Sequence, residues 1–327
     1  MTISDRKHIL QNNSDNKTEE IKNLKGMIFD IKRFATGDGP GIRGLIFLKG
    51  CPLSCKWCAN PESQKFRSEI IYYKNNCVGC GKCIKSCQYD AINEDDSFGL
   101  VTDQAKCVNC GDCVEACLHD ARETVGEEKS IEDLLNLIRK DRSFYDNSGG
   151  GITLTGGEPL FQCEFTVELL KAFKRENIHT AIETTGYTSQ ECLAAAVDYL
   201  DLIFYDFKHI DDDKHQEYTG VSNQIIKENL LWLNNNLKEE KIIIRIPYIP
   251  GHNSAVETQK RMYKYLKQFD KIKRIEIMPY HRLGAAKYEG LGLDYELKEL
   301  EPVKKKDLNH FVELGEKIGV KVRIDSK

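Results

Sequence analysis

The stretch KGCPLSCKWCANPES, residues 49–63, carries Cys51, Cys55 and Cys58 at the spacing C-x3-C-x2-C. A cubane [4Fe–4S] cluster normally takes four protein thiolates. Three cysteines in one short loop therefore indicate metal ligands, but they are one ligand short of a complete cluster. The alternatives are a zinc site or a cluster completed by a further protein ligand.

The composition restricts the class of protein. The chain has 327 residues, of which 40% are hydrophobic and 30% charged, so it can form one or two ordinary globular domains. The net charge of −4 predicts no nucleic-acid partner, and no apolar run reaches the roughly 18 residues of a membrane helix, which predicts no membrane partner. Residues 1–24 form a polar lead-in that we expect to be mobile and that lacks a signal-peptide core. The predicted location is the cytoplasm, where thiols stay reduced.

A second group of cysteines forms a duplicated motif. CVGCGKCIKSCQYDA (77–91) and CVNCGDCVEACLHDA (107–121) both read C-x2-C-x2-C-x3-C, which is the ferredoxin run for [4Fe–4S] clusters. Zinc would need only four ligands, so it does not account for eight cysteines in two copies. The pattern predicts two auxiliary clusters in an inserted ferredoxin-like domain over residues 64–128.

In two-cluster ferredoxins the fourth cysteine of each run binds the other cluster. The sequence therefore predicts two crossed ligand sets. One comprises Cys77, Cys80, Cys83 and Cys117, and the other comprises Cys107, Cys110, Cys113 and Cys87. The remaining cysteines, Cys163 and Cys192, have no paired spacing, and we predict that both are small, buried and unpaired.

Outside the insert, β-branched runs alternate with amphipathic segments, which predicts parallel strands joined by helices. Ser130 followed by Asp133 predicts the start of one such helix. Six units indicate an α/β fold with a partial (β/α)6 barrel over residues 25–63 and 129–327, in which functional groups gather at the carboxyl ends of the strands. The predicted strands are 45–50, 151–157, 179–186, 202–208, 242–251 and 274–281, with an edge strand in the region 319–324.

The C-x3-C-x2-C loop, followed by GGEP at 156–159, resembles the radical S-adenosylmethionine (SAM) superfamily. This resemblance implies that three thiolates hold a [4Fe–4S] cluster and that SAM chelates the fourth iron. Together with the two auxiliary clusters, the implied cofactors are three [4Fe–4S] clusters and SAM.

A closer resemblance is to the activating enzymes of glycyl radical enzymes. The segments that carry it are FDIKRFATGDGPGIRGLIFLKGCPLSCKWCANPES (29–63), YTGVSNQIIKENL (218–230), IRIPYIPGHN (244–253) and MPYHRLGAAKYEGLG (278–292). It implies that SAM is cleaved reductively to a 5′-deoxyadenosyl radical, which removes a hydrogen from a backbone glycine of a partner lyase, dehydratase or decarboxylase. It also implies a flavodoxin or ferredoxin as electron donor. Gly44-Leu45 departs from the family pattern after GIR.

Residue roles follow from the same resemblance. Trp57 is expected against the SAM adenine, and His281 near SAM. Gly156, Gly157 and Glu158 are expected to hold the methionyl amino group. The D-x-K segment of Asp206, Phe207 and Lys208 is expected to place Lys208 near the SAM carboxylate. Glu183 and Thr184, with Asp206, match positions where relatives hold a monovalent cation.

Two other functions remain open from the sequence. One is a different radical SAM reaction, such as peptide maturation with auxiliary clusters, although the cysteines of many such enzymes lie after the barrel. The other is a non-catalytic iron–sulfur electron carrier, which the duplicated motif alone would allow. A carrier would produce no 5′-deoxyadenosine from SAM, so this product distinguishes the carrier from an enzyme.

Overall fold

The computed structural model describes residues 21–95 and 99–325, so most of the polar lead-in lies outside the described residues. A nine-stranded sheet forms the centre of the fold, in the order β13-β12-β11-β10-β9-β8-β2-β1-β7. Its strands are β1 Lys25–Ala35, β2 Arg43–Leu48, β7 Glu127–Ser130, β8 Gly151–Gly156, β9 His179–Thr184, β10 Leu202–Asp206, β11 Ile242–Tyr248, β12 Ile272–Pro279 and β13 Val322–Ile324.

The strands from β2 to β13 in this order run parallel to their neighbours, whereas β1 is antiparallel to both β2 and β7. The prediction of an α/β fold with a mostly parallel sheet is therefore confirmed. All six predicted strands are present, and β13 pairs with β12 at the edge as expected. The two antiparallel strands β1 and β7 were not predicted.

Helices connect the parallel strands and cover the outer face of the sheet. The main ones are α3 Ile131–Arg139, α4 Arg142–Ser148, α5 Cys163–Arg175, α6 Gln190–Val197, α7 Asp212–Thr219, α8 Gln224–Asn236, α9 Val256–Leu266, α10 Ala285–Gly290 and α11 Asn309–Ile318. The predicted start of α3 is confirmed, because the Ser130 hydroxyl accepts a hydrogen bond from the Asp133 amide and caps the helix. Within the described ranges, the structure contains no helix with the length and apolarity that a bilayer crossing requires.

A small unit between Glu69 and Val125 has two sheets that are separate from the nine-stranded sheet. It contains β3 Glu69–Tyr72, α1 Lys82–Ser86, β4 Ile92–Asp95, β5 Gly99–Thr102, α2 Asp112–Glu115 and β6 Arg122–Val125. Strand β3 pairs with β6, and β4 pairs with β5, both antiparallel. Cys83 and Cys113 belong to a separate apolar core together with Ile70 and Ile92. The ferredoxin-like identity of this unit is taken up as a proposal below.

The base of this unit is tied to the sheet through Lys49, which follows β2 and is fully buried. Its ammonium donates to the Glu62 carbonyl at 2.5 Å and lies 3.4 Å from the Glu69 carboxylate. A buried cation needs such partners, since an unpaired charge in the interior is costly. The two strands β3 and β6 also meet at the far end, where the Tyr73 amide donates to the Ala121 carbonyl at 2.8 Å.

Cys163 and Cys192 were predicted to be unpaired, and the structure corrects this prediction. They form a disulfide with a Cα–Cα distance of 5.8 Å between the start of α5 and the first turn of α6. Cys192 is buried as expected, and Cys163 is half-buried. The two cysteines are 29 residues apart and lie on different helices, so only the packing of the helices brings them together, and their spacing carries no signal of it.

Candidate active site

The loop with the three cysteines leaves the carboxyl end of β2 and is held from the opposite side by the end of α7. The backbone amide of Ser54 donates to the Thr219 carbonyl at 2.8 Å, and that of Lys56 donates to the Tyr218 carbonyl at 3.0 Å. Two carbonyls at the carboxyl end of a helix are natural acceptors, because they have no partner within the helix. These bonds fix a loop that has no regular structure of its own.

The thiols of this loop lie in a low-polarity environment. Burial raises the pKa of the Cys51 thiol above its usual range, raises that of Cys55 to about 12, and also raises that of Cys58. Binding to iron requires the deprotonated form and therefore overcomes this effect. Within the described residues, no group of three or more His, Cys, Asp or Glu side chains converges on the position of a single metal ion.

The three cysteines face an open cleft that contains about 890 Å³ of space not filled by protein atoms, including open solvent. This volume is in the range of small-molecule sites. The residues that line it are Cys51, Leu53, Cys55, Trp57, Cys58, Ala59, Asn60, Ser63, Gly156, Gly157, Thr185, Asp206, Lys208, Pro247, Ile249, Met278, Pro279, Tyr280 and His281. Most of the residues predicted from the sequence thus meet at one place, at the carboxyl ends of the parallel strands.

The two glycines after β8 allow the strand end to approach the cysteine loop. A Cβ on Gly156 would lie 2.5 Å from the Leu48 carbonyl oxygen, and one on Gly157 would lie 2.4 Å from the Gly50 carbonyl oxygen. Gly156 also has a φ of +110°, which side-chain-bearing residues rarely adopt. The glycine pair is therefore required for close packing, whatever else it binds.

Glu158 does not face the cleft; it is completely buried beneath it. Its carboxylate accepts hydrogen bonds from the Thr184 hydroxyl at 2.7 Å, the Thr185 hydroxyl at 2.6 Å and the amides of Thr185 and Leu160 at 2.7 and 3.1 Å. Burial raises the pKa of Glu158, and these hydrogen bonds oppose the rise. The carboxylate ties the end of β8 to the end of β9, and binding of an amino group by Glu158 stays a prediction.

Asp206 and Lys208 form an ion pair at the wall of the cleft, with the ammonium 2.8 Å from the carboxylate. Burial disfavours the charged lysine, but Asp206 and Cys55 outweigh this effect and the pKa of Lys208 is raised. Lys208 is thus a fixed positive charge beside the cysteines. The side chain of Phe207 points the other way into the core, where its ring stacks on Tyr265 at 5.6 Å, so it is not in the cleft.

The three residues of the predicted cation position each contact other groups of the protein. One oxygen of Glu183 is bound by the Arg245 guanidinium, and the other accepts a hydrogen bond from the Thr155 hydroxyl at 2.5 Å. The Thr184 hydroxyl is directed to Glu158, and Asp206 is paired with Lys208. All three residues thus have partners within the protein, and a monovalent cation beside them stays a prediction.

Arg245 is a central residue that the sequence analysis missed. It is 2% exposed and contacts Glu183, Asp38 and Glu276 inside the barrel. Its guanidinium also lies over the ring of Phe204, 3.8 Å from the ring centroid. The sequence did contain a signal for it, a single arginine in the apolar strand IIIRIPY. An arginine in a buried strand is expected to have a charged partner, because an unpaired buried charge is costly.

The remaining two predicted residues lie at the rim. Trp57 is half-buried, with its ring centroid 5.9 Å from that of His252 and 6.2 Å from that of Tyr218. His281 is exposed at the edge of the cleft after β12. Both positions leave a face toward the cleft, and the predicted contacts with SAM stay predictions.

Comparison with known proteins decides the family. Residues 45–258 match the Radical SAM superfamily. The chain belongs to this superfamily. It is 44% identical over 279 residues to the choline trimethylamine-lyase activating enzyme of Oleidesulfovibrio alaskensis, covering 84% of this chain and 89% of the relative. It is 40% identical over 296 residues to the trans-4-hydroxy-L-proline dehydratase activating enzyme of Clostridioides difficile, covering 90% and 97%.

A solved structure agrees at the level of the fold. The structure of SuiB from Streptococcus suis, bound to its precursor peptide SuiA, matches with a TM-score of 0.51 and 14% identity, covering 84% of this chain and 46% of SuiB. The radical SAM fold and the match to activating enzymes identify the chain as an enzyme of this superfamily, which as a family uses a [4Fe–4S] cluster and SAM.

The small unit of this radical SAM protein contains two further cavities, of about 340 and 330 Å³. We name them the first cage and the second cage. The cysteines that line the first cage are Cys77, Cys80, Cys83 and Cys117. The cysteines that line the second cage are Cys87, Cys107, Cys110 and Cys113. Each cage therefore takes three cysteines from one motif and the fourth from the other.

The backbone around the cages repeats as the sequence does. Gly81 and Gly111 have φ values of +66° and +88°, and nothing lies within 4 Å of a Cβ added to either. The amides of Ala91 and Ala121 donate to the sulfurs of Cys87 and Cys117 at 3.4 and 3.3 Å. Amide donors to sulfur are a feature of iron–sulfur sites, so the donor set and the shape of each cage fit a cluster.

Proposed function

We propose that this radical SAM enzyme activates a glycyl radical enzyme by removing a hydrogen from a backbone glycine of its partner. The observation that carries this proposal is the convergence of Cys51, Cys55 and Cys58 with Lys208 and the Gly156–Gly157 turn on one open cleft. The relatives described above are activating enzymes by name, which supports the same assignment. When bound, the cluster and SAM supply a 5′-deoxyadenosyl radical by one-electron reduction of SAM.

The residues of the cleft have separable tasks in this proposal. The three thiolates hold the cluster and leave one iron to SAM. Lys208, held by Asp206, faces the cleft as a buried positive charge that suits the SAM carboxylate. Glu158 acts as a positioning residue, because its four hydrogen bonds hold the strand ends that shape the cleft. Trp57 provides an aromatic face for the adenine.

The unit of residues 64–128 is proposed to be a ferredoxin-like domain with one [4Fe–4S] cluster in each cage. The support is the crossed arrangement of the cysteines and the amide donors to the sulfurs of Cys87 and Cys117. The two clusters would pass electrons from a flavodoxin or ferredoxin to the site cluster. The proposed domains are then residues 25–63 and 129–327 for the barrel and 64–128 for the insert.

The test is anaerobic reconstitution followed by two assays. Iron and sulfide analysis should give about 12 of each per chain for three cubane clusters, whereas about 4 irons would reject the clusters of the insert. With SAM and dithionite, the protein should release methionine and 5′-deoxyadenosine. If it takes up iron but releases neither product, it is an electron carrier and the proposed activity is wrong.

The partner is identified by a panel of glycyl radical enzymes. The relatives are named as activators of choline, hydroxyproline, isethionate and hydroxyphenylacetate enzymes at 36–44% identity. Each candidate partner is incubated with the reduced protein and SAM, and the glycyl radical is detected by electron paramagnetic resonance (EPR). A partner whose glycine is replaced by alanine gives the matched control. A candidate encoded beside this chain is tested first.

A further inference from the structure

We infer that the two cages hold clusters of unequal reduction potential, and that the cluster of the first cage, beside Arg122, is the more easily reduced. This inference rests on the proposed clusters of the insert. The cages are alike in cysteines and backbone, but the side chains around them differ in charge. The difference lies at equivalent positions of the duplicated motif, so it can be compared residue by residue.

Arg122 is the strongest difference. It lines the first cage and is 3% exposed. Its guanidinium donates to the Thr102 hydroxyl at 2.8 Å and to the Leu100 carbonyl at 3.3 Å, and it lies 5.2 Å from the ring centroid of Tyr72. All of these partners are neutral. The Arg122 Nε has no hydrogen-bond partner among the described residues.

A buried guanidinium stays charged and is costly without a negative partner. Among the described residues, no carboxylate lies within ion-pair distance of Arg122. The ion pairs of Glu62 and Glu69 are formed with lysines and do not include Arg122. A [4Fe–4S] cluster with four thiolates carries a net negative charge, so a cluster in the first cage would supply the missing partner. The free Nε of Arg122 is thus explained by the same group that the cysteines are arranged to hold.

The second copy of the motif reverses this pattern. The position equivalent to Arg122 is Ile92, which lines the second cage and carries no charge. Lys82, which lines the first cage, is replaced at the equivalent position by Asp112, which lines the second. The first cage therefore has two positive side chains where the second has one apolar and one negative side chain.

The charge of Arg122 also reaches the second cage. Cys83 of the first cage and Cys113 of the second belong to one apolar core, so the two cages are neighbours. The field of one charge falls with distance, and Arg122 lines only the first cage, so its larger effect is there. Lys82 and Asp112 increase the difference that Arg122 creates. Lys82 favours an added electron at the first cage, and Asp112 disfavours one at the second cage.

The redox step is simple. A cluster held in either cage would accept one electron from an added reductant, and no bond would be formed or broken. Because the step adds one negative charge, nearby positive groups raise the reduction potential and negative groups lower it. When electrons are scarce, the first electron that enters the insert should therefore reside in the first cage.

The test is an anaerobic redox titration of the full chain, with dithionite as reductant and EPR as readout. The Cys51→Ala/Cys55→Ala/Cys58→Ala variant removes the signal of the site cluster. Two separate one-electron steps are expected. Arg122→Gln and, separately, Lys82→Asp should shift the higher step to lower potential, and Asp112→Lys should raise the lower step. Arg122→Lys keeps the charge and should retain most of the separation.

The matched control is Arg139→Gln, which removes an arginine on α3 that is paired with Glu132 and Glu176 and does not line either cage; it should leave both steps unchanged. Lys82 is exposed, so its substitution keeps the test valid if an Arg122 variant fails to fold. If the Cys51→Ala/Cys55→Ala/Cys58→Ala variant takes up no iron, the proposed clusters of the insert are themselves wrong. About eight irons with a single unresolved step, or a shift of the lower step by Lys82→Asp, would overturn the inference.

Discussion

The two cysteine regions of this chain differ in how completely the protein surrounds its ligand. Cys51, Cys55 and Cys58 face a cleft of about 890 Å³ with polar groups on its walls. The two cages are less than half as large, and each is lined by four cysteines. Three thiols beside a wide cleft suit a cluster that binds a substrate, whereas four thiols around a small cavity suit one that only transfers electrons.

The largest expected effect separates these two kinds of site directly. Cys55→Ala and Cys80→Ala each remove one thiolate, and each should lower the iron content by one cluster. Cys55→Ala should abolish SAM cleavage with dithionite, because SAM loses the cluster to which it binds. Cys80→Ala should retain SAM cleavage with dithionite, because the site cluster keeps its three thiolates. The measurement is 5′-deoxyadenosine by liquid chromatography, and loss of dithionite-driven cleavage in Cys80→Ala would contradict the division of roles.

The second prediction concerns electron delivery. Replacing residues 74–120 by a short Gly-Ser turn retains strands β3 and β6 and the buried pair of Lys49 and Glu69. The shortened protein should cleave SAM with dithionite but should fail with a flavodoxin or ferredoxin donor. If the protein donor still drives cleavage while activation of the partner enzyme is lost, the insert is a docking element and the relay is wrong.

The third prediction concerns the wall of the open cleft. Lys208→Met removes a buried charge-assisted hydrogen bond, a contribution of about 1.5–3 kcal/mol, so the KM for SAM should rise roughly 10- to 100-fold. Lys214→Met is the matched control, because Lys214 lies on α7 and pairs with Glu217 at the surface. Steady-state kinetics at saturating dithionite give both values. An unchanged KM in Lys208→Met would remove this lysine from SAM binding.

The smallest expected effect is a dependence on pH. His215 is buried on α7, the helix whose end holds the cysteine loop, and burial lowers its pKa to about 4. Its ordinary value is 6.5, so the neutral form stabilises the fold above that pH, and this stability is lost as the pH falls from 6.5 toward 4. The loss should be about 2–3 kcal/mol.

Thermal unfolding of the cluster-free protein between pH 7 and pH 4.5 measures this effect. His215→Gln should flatten the decline relative to the unsubstituted chain. His310→Gln is the control, because His310 lies on the exposed face of α11 and should not change the slope. Equal slopes for His215→Gln and the unsubstituted chain would show that His215 does not contribute.

The parallel strands could be predicted because they contain continuous apolar runs, as in Leu45–Leu48 of β2, all of which are buried. Strand β1 was missed because Asp30, Lys32 and Arg33 interrupt its apolar pattern at a sheet face that is only partly covered. The grouping of eight cysteines into two crossed sets was predicted from their spacing, and the linings of the two cages contain the same sets. Local chemistry and periodicity were thus sufficient for these parts of the fold.

The sequence predicted which strand ends form the site, but it did not predict which side chains face the cleft. Glu158 and Phe207 are adjacent to residues of the cleft and yet are directed into the interior. The contact of Arg245 with Asp38 joins positions 207 residues apart, and no local pattern contains that distance. The disulfide of Cys163 and Cys192 belongs to the same class, because it depends on how two helices pack.

The close meeting of Tyr73 and Ala121 has a consequence for protein engineering. Both ends of the segment between them leave the tip of the β3–β6 ribbon at one narrow point, joined by a backbone hydrogen bond of 2.8 Å. Insertion at the tip of a paired ribbon costs the host little loop-closure entropy, because the ribbon already holds the ends together. The segment should therefore behave as an exchangeable cassette, into which a redox module with adjacent termini could be grafted to give the same catalytic barrel a different electron source.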